Sequence, residues 1–391
     1  MTYDFDRVWD RKNTYSVKWD GVGKFFGDAD LLPMWVADMD FKAPPAVIEA
    51  LKRQAEHGIY GYAMRPDSYD DAVVQWFKRR HHFEVKREWL VFSPGIVPAL
   101  NVIVQAFTEP GDSIVIQPPV YYPFAQAVKR NGRTLVENPL AFDGERYTID
   151  FDDLEQKLVT GVKLLILCNP HNPVGRVWTK EELEQLGQLC LKHNVLIVSD
   201  DIHCDLIRKG YRHTPIASLS ESLALQSITC TSPSKTFNLA GLQASHIIIP
   251  NERHRRTFKT AIKTLALDLG NTFAIPAVEA AYRHGEAWLD QLLDYLEGNI
   301  RFLTDFIRQN IPQVKVIQPE GTYLVWLDFR SLGLSPKELE SLMRDKAKVA
   351  LDEGYIFGTG GEGFERINIA CPRSTLEEGL TRIAQAVKML S

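Results

Sequence analysis

Between residues 113 and 249 the chain repeats one pattern: a short β-branched run, a polar stop, then an amphipathic stretch long enough for a helix. Strands that alternate with helices build a parallel sheet, because parallel neighbours cannot be joined by a tight turn and need a crossover. Five runs mark the strands, at 113–116, 164–167, 195–198, 227–229 and 246–249, each bounded by Pro, Asp, Asn or Ser. Between the second and third, Thr179 followed by Glu182 has capping-box spacing and predicts a helix start. The expected fold class is α/β, with a mainly parallel central sheet flanked by helices.

A chain of 391 residues exceeds what one hydrophobic core usually serves, so two domains are expected. From about residue 286 the pattern changes to a long helical stretch at 287–309, strands at 323–328 and 366–369, and a final helix. This predicts a large domain over 46–285 and a smaller α+β domain over 286–391, joined by residues 1–45, which show no clear helical period. The net charge of −5 offers no basic surplus for a phosphate backbone, which excludes nucleic acid as the expected partner and points to a small molecule. The acidic opening lacks the apolar run of a secretory leader, and no segment reaches the ~18 unbroken apolar residues of a membrane helix. A cytoplasmic protein is expected. Its five cysteines, Cys168, Cys190, Cys204, Cys230 and Cys371, are odd in number and contain no CxxC pair, which fits reduced, buried thiols.

Ligands of open α/β sheets bind outside the carboxyl ends of the strands. Three runs end there in polar clusters: Asn169-Pro170-His171-Asn172-Pro173, Ser199-Asp200-Asp201-Ile202-His203 and Ser232-Pro233-Ser234-Lys235. Lys235 follows a strand among small residues rather than lying on a charged helix face, a placement suited to a lysine whose neutral amine attacks a carbonyl. Asp200 reads equally as a turn or cap aspartate and as the carboxylate that keeps a pyridine nitrogen protonated. Ser93-Pro94-Gly95-Ile96-Val97 reads as a helix start with Ser93 as cap, leaving the amides of Gly95, Ile96 and Val97 free to seat a phosphate, although every helix has such an end. Tyr121 and Tyr122, after Pro118-Pro119, could stack on a ring or pack in the core. Arg366 could clasp a carboxylate or form a surface salt bridge. The glycines at 358, 360 and 363 spell GxGxxG but precede an alternating strand pattern instead of a helix, so a flexible loop is the better reading. No histidine spacing suggests a metal, and none is assigned.

Together these clusters resemble the class I/II aminotransferase superfamily of pyridoxal-phosphate (PLP) fold type I enzymes, in order and spacing across nearly the whole chain. Asn169 to Gly175 is similar to the family's NPxNPTG motif with Val174 in place of Thr, and Ser232-Pro233-Ser234-Lys235 to its SxSK motif. The resemblance implies PLP held as a Schiff base on Lys235, Asp200 on the pyridine nitrogen, Asn172 on the phenolic oxygen, and Arg366 on the substrate carboxylate. Gly95, Ile96, Val97, Tyr121, His203, Ser232 and Ser234 are then further cofactor contacts. Two positions depart from the wider family: Gln243 stands where many members carry a phosphate-binding Arg, and His203 where they carry a Tyr. That leaves more of the phosphate to backbone amides and neutral donors.

Three segments resemble the cystathionine β-lyase, or C–S β-lyase, branch: Pro33-Met34-Trp35-Val36-Ala37-Asp38-Met39-Asp40-Phe41, Lys235-Thr236-Phe237-Asn238-Leu239-Ala240-Gly241-Leu242-Gln243, and Ala370-Cys371-Pro372-Arg373. The branch implies α,β-elimination from a sulfur amino acid to pyruvate, ammonia and a thiol, with Ala37 and Asn172 beside the substrate. Lys235 would be the base at the α-carbon, and Lys235 or Tyr121 the donor to the departing sulfur. It also implies a homodimer with shared active sites, in which Tyr62 of the neighbouring chain reaches the phosphate. Transamination is the rival reading, since Lys235 and Asp200 serve both. A regulatory protein that keeps the fold only for binding is the third.

Overall fold

The computed structural model describes residues 2–390. Seven strands form the main sheet: β1 Leu90–Ser93, β2 Ser113–Ile116, β3 Thr134–Glu137, β4 Leu164–Cys168, β5 Leu196–Asp200, β6 Ser227–Thr231 and β7 Ser245–Ile248. Their spatial order is β1-β7-β6-β5-β4-β2-β3. β3, β2, β4, β5 and β6 run parallel, whereas β7 lies antiparallel to both β6 and β1. The five expected runs are all strands of this sheet. β1 and β3 were not anticipated, and neither was the reversed direction of β7.

Both faces of the sheet are buried, which is why its strands read as continuous apolar runs rather than as alternating ones. In β4, Leu164, Ile166 and Cys168 point into one core with the helix Ile96–Phe107. Leu165 and Leu167 point into another with Leu183, Leu186 and Cys190 of the helix Lys180–Lys192. That helix starts at Thr179, whose hydroxyl accepts from the Glu182 amide while the Glu182 side chain caps back, the full capping box. Residues in register at the ends of the central strands, Cys168 beside Asp200 and Asp200 beside Cys230, align three carboxyl termini on one rim.

A 25-residue helix, Glu286–Asn310, leads to a second sheet of β8 Lys315–Ile317, β9 Leu324–Asp328, β10 Asp352–Glu353 and β11 Phe364–Asn368, ordered β8-β9-β11-β10 and antiparallel throughout. Residues 354–363 form a short 3-10 turn and a loop in which Gly358, Gly360 and Gly363 all have positive φ. The GxGxxG there enters strand β11, as the sequence pattern predicted.

The N-terminal segment does contain helix, in two short pieces, Val17–Asp20 and Val22–Phe26. Leu32–Pro33 then pairs in parallel with Val349–Ala350. Lys18 is 1% exposed, and its ammonium meets Asp40 at 2.7 Å. Arg11 donates to Asp38 and Asp40 at 2.9 and 2.7 Å. A buried charge is tolerated only when paired, so these contacts fix the loop that carries residues 35–40. All five cysteines are buried and free. Among the described residues, no helix is long and apolar enough to cross a membrane.

Candidate active site

The rim of the parallel sheet opens into a cavity of about 280 Å³. Every candidate named above except Tyr62 lines it: Ala37, Gly95, Ile96, Val97, Tyr121, Asn172, Asp200, His203, Ser232, Ser234, Lys235 and Arg366. Tyr62 lies apart from the cavity and is 99% exposed on its own chain.

Lys235 occupies a single helical turn, Pro233–Thr236, directly after β6. Ser232 caps that turn, its hydroxyl accepting from the Ser234 amide at 3.1 Å and donating to the Ala244 carbonyl at 2.7 Å. The Lys235 ammonium donates to the Ala37 carbonyl at 2.7 Å. Burial, joined by the positive charge of Arg366, lowers its pKa to about 8 despite the opposing pull of Asp38 and Asp200. A neutral amine is therefore accessible near physiological pH.

Asp200 ends β5 and is 3% exposed. Burial pushes its pKa up to about 7, against the stabilising amide of Ile202 at 3.2 Å. No salt bridge reaches it among the described residues, so it is a buried acid with room for a cationic partner. His203 is held well below its ordinary pKa by burial and by Lys235 and Arg366, and it stays neutral. Burial raises the Tyr121 phenol, which remains protonated. The Tyr121 amide donates to the Asn172 carbonyl at 3.1 Å, fixing one wall of the cavity to the other.

Ser93 is not the cap of the following helix. It closes β1, its hydroxyl donates to the Gly95 carbonyl at 2.9 Å, and Gly95 is the N-cap of Ile96–Phe107. The first amides of a helix have no acceptor within it, so those of Ile96 and Val97 remain at the cavity wall, with Pro98 supplying no third donor. Ser234 and Gln243 line the same cavity.

Arg366 lies in the middle of β11 and is 3% exposed. Its Nη1 donates to Asn172 Oδ1 at 2.9 Å and its Nη2 to the Trp35 carbonyl at 3.0 Å. Nη2 also pairs with Asp352. Its Nε is buried without a hydrogen-bond partner, a donor ready for a carboxylate.

Sequence reasoning missed several residues here. Asp352 belongs to a two-residue strand with no periodic signal. Asp205 is buried against Thr236, the residue after Lys235, its Oδ1 accepting from Trp76 Nε1 at 3.0 Å and meeting His81 Nε2 at 2.7 Å, while its Oδ2 accepts from the Thr236 hydroxyl at 2.8 Å. Next to Asp200, Asp201 meets His213 Nε2 at 2.9 Å. His81, Cys204 and Asp205 bring metal-ligating atom types within 4.8 Å. The hydrogen bonds onto Asp205 account for that cluster.

Comparison with known proteins agrees with this geometry. Cystalysin from Treponema denticola, whose crystal structure contains pyridoxal 5'-phosphate, superposes with a TM-score of 0.97 at 42% identity, covering 100% of both chains. The PLP-bound C–S lyase from Staphylococcus hominis superposes with a TM-score of 0.92 at 37% identity, over 99% of this chain and 98% of that one. The fold is that of the fold type I PLP enzymes. Residues 29–383 match the model for aminotransferase class I and II, and the chain belongs to that family. It is 51% identical to cystathionine beta-lyase PatB of Bacillus subtilis, over 98% of this chain and 100% of that protein, and 34% identical to protein MalY of Escherichia coli over 99% of each.

The residues fit PLP on their own terms. An acid with no cation partner, a lysine of lowered pKa, an unpartnered arginine Nε and a helix N-terminus meet in one cavity, and each suits a different part of the cofactor or its substrate.

Proposed function

We propose that this chain is a PLP-dependent C–S β-lyase that converts cystathionine and related cysteine thioethers to pyruvate, ammonia and a thiol. The observation that carries the reading is the meeting of Lys235, Asp200, Asn172 and Arg366 in one cavity walled by the Trp35–Ala37 loop. The full-length identity to PatB supports the choice of reaction.

Lys235 holds the cofactor. Asp200 would keep the ring nitrogen protonated, Asn172 would contact the phenolic oxygen with His203 a further cofactor contact, and the amides of Gly95, Ile96 and Val97, with Ser232, Ser234 and Gln243, would receive the phosphate. When bound, PLP supplies an electron sink conjugated with the substrate α-carbon. Arg366 takes the substrate carboxylate through its free Nε, which orients the α-hydrogen and the C–S bond within the cavity. Lys235 Nζ, released as a free amine when the substrate amine takes its place, would remove the α-proton, a task suited to an amine whose pKa is near 8. Tyr121, protonated and at the cavity wall, donates to the departing sulfur. Ala37 sets the lysine's rest position through its carbonyl.

The same reading takes residues 46–285 as the large cofactor-binding domain, with 1–45 and 286–391 forming the smaller one. It includes a homodimer in which Tyr62 of the neighbouring chain reaches the phosphate, supported by the full exposure of Tyr62 away from its own cavity. A reducing cytoplasm is the compartment proposed, supported by five free, buried thiols.

The test is incubation of purified holoenzyme with cystathionine and no 2-oxo acid. Sustained release of pyruvate and homocysteine is expected. A single stoichiometric turnover that then stalls would overturn the lyase reading in favour of transamination.

A further inference from the structure

The loop that walls the cavity is held by side chains at five successive carbonyls. That of Trp35 accepts from Arg366 Nη2 at 3.0 Å, those of Val36 and Asp38 from Asn368 Nδ2 at 2.6 Å each, and that of Met39 from Asn238 Nδ2 at 2.8 Å. Between them, the Ala37 carbonyl accepts from the Tyr323 hydroxyl at 2.9 Å. The same oxygen accepts from Lys235 Nζ at 2.7 Å, and among the described residues Nζ has no other hydrogen-bond acceptor. A carbonyl oxygen carries two lone pairs, so it serves both donors at once.

Tyr323 is 0% exposed, directly precedes β9, and meets the His203 imidazole edge-on with ring centroids 6.1 Å apart. A phenylalanine would fill the same space, so packing alone does not call for the hydroxyl. The residue before it, Thr322, has φ +69°, an outlier for a β-branched side chain. Its amide donates to the Leu206 carbonyl at 2.6 Å, and its hydroxyl accepts from the Leu324 amide at 3.1 Å, which together hold the strained turn. Strain of this kind persists where the surroundings over-determine it, and it gathers at functional sites. Here it stands one residue before the phenol that reaches the lysine's acceptor.

In the lyase reading, on which this inference rests, Lys235 is freed when the substrate amine takes its place and then acts as the base. An amine that donates one N–H to Ala37 keeps its lone pair for the α-proton, and the ammonium it becomes still has a donor for the same oxygen. We propose that Tyr323 is a positioning residue for this step: its hydroxyl fixes the Ala37 carbonyl, and the carbonyl holds the freed Lys235 amine where it meets the α-proton.

L-Alanine has an α-hydrogen but no leaving group, so exchange of that hydrogen in D2O, followed by NMR, reads the base apart from C–S cleavage. 2-Methylalanine has no α-hydrogen, so absorbance titration of the holoenzyme with it reads binding alone. Tyr323→Phe is expected to slow exchange at saturating alanine by roughly tenfold or more, while affinity for 2-methylalanine stays within about twofold. Unchanged exchange overturns the proposal, and so does a fall matched by an equal loss of affinity, which a merely structural role would give. Absence of exchange in the wild type overturns it as well. Should the variant not fold, a crystal structure of wild-type holoenzyme with 2-methylalanine decides: Lys235 Nζ and the Tyr323 hydroxyl should both lie within hydrogen-bond distance of the Ala37 oxygen, and a lysine resting elsewhere overturns the proposal. Wild type that exchanges alanine yet releases no pyruvate from cystathionine would sink the lyase reading, while exchange and titration still decide the role of Tyr323.

Discussion

Replacing Asp205 separates what its charge does from what its hydrogen bonds do. The carboxylate is 5% exposed and serves the indole of Trp76, the imidazole of His81 and the hydroxyl of Thr236. Asp205→Ala strands the Trp76 N–H outright, since Trp76 is 0% exposed and can only donate. An orphaned buried donor costs about 1–3 kcal/mol. Adding the loss of the His81 contact and the space left behind brings the total to roughly 4 kcal/mol, within the usual range for breaking a buried charged network. At about 2.1 cal/mol/K per residue, 391 residues give an unfolding entropy near 0.8 kcal/mol/K, so Tm should fall by roughly 5 °C. Asp205→Asn keeps an acceptor for Trp76 and His81, and its amide can donate to the Thr236 oxygen. It loses only charge assistance, about 1–2 kcal/mol, or roughly 2 °C. Circular dichroism melts of the holoenzyme at fixed protein and cofactor concentrations measure both. Burial raises the Asp205 pKa, but His81 and Thr236 outweigh it and hold the group below its ordinary value. A depressed carboxylate pKa contributes stability that is present above the unfolded value and lost as pH falls through the folded one. The gap between wild type and Asp205→Asn should therefore be flat at neutral pH and close only on acidification below about 4. Equal Tm losses in the Ala and Asn variants, or a loss below about 1 °C in Asp205→Ala, would refute the reasoning.

Lys235→Ala should abolish pyruvate release, and borohydride reduction followed by peptide mapping should find no cofactor mass on the protein; covalent cofactor retained in the variant would refute the assignment of Lys235. Glu365 is 1% exposed, and burial, with Glu353 and Asp352 beside it, holds its pKa well above the ordinary value. An acid raised in the folded state costs stability as pH rises above its unfolded value, so Glu365→Gln should raise Tm by roughly 1–4 °C at pH 8 and leave it unchanged near pH 4. A gain of the same size at both pH values would show that charge is not its cause. Gly175 has φ +74°, and a Cβ there would lie 2.7 Å from Pro319 Cβ and 2.8 Å from its Cα. Gly175→Ala should lower Tm by roughly 4 °C, the sum of left-handed strain and overpacking at about 3 kcal/mol, and an unchanged melt would contradict that contact.

The parallel strands were legible because burial on both faces makes them unbroken apolar runs. β1 and β3 escaped for different reasons. Leu90–Ser93 merges without a gap into the Pro94-Gly95 turn that reads as a helix start. Thr134–Glu137 is an edge strand whose residues are exposed or half-buried, so its composition resembles a loop. The direction of β7 is invisible because side-chain periodicity is the same for parallel and antiparallel strands. Within the cavity, Lys235, Asp200 and Asn172 were legible because each lies at or just past a strand end, where ligands gather. Asp352 and Asp205 were not, since each acquires its meaning from a distant partner: Asp352 from a cross-strand register, and Asp205 from Trp76 and His81 more than a hundred residues away.

Of the three segments that resemble the lyase branch, the first touches both of the others. The Met39 amide donates to Asn238 Oδ1 at 3.0 Å, and Asn238 Nδ2 returns to the carbonyls of Met39 and Phe41 at 2.8 and 3.0 Å. The Asp40 amide donates to the Ala370 carbonyl at 2.8 Å. Asn368, two residues beyond Arg366, donates to the carbonyls of Val36 and Asp38 at 2.6 Å each. The loop at 35–40 is therefore gripped from one side by the segment that follows Lys235 and from the other by the strand that carries Arg366. Its Ala37 carbonyl accepts from both Lys235 and Tyr323, at 2.7 and 2.9 Å. A substitution at Asn238 removes hydrogen bonds that hold the carbonyls of this loop. Co-occurrence of all three in one sequence is thus a stronger sign of this cavity shape than any one alone, because the loop at 35–40 makes hydrogen bonds to both of the other segments.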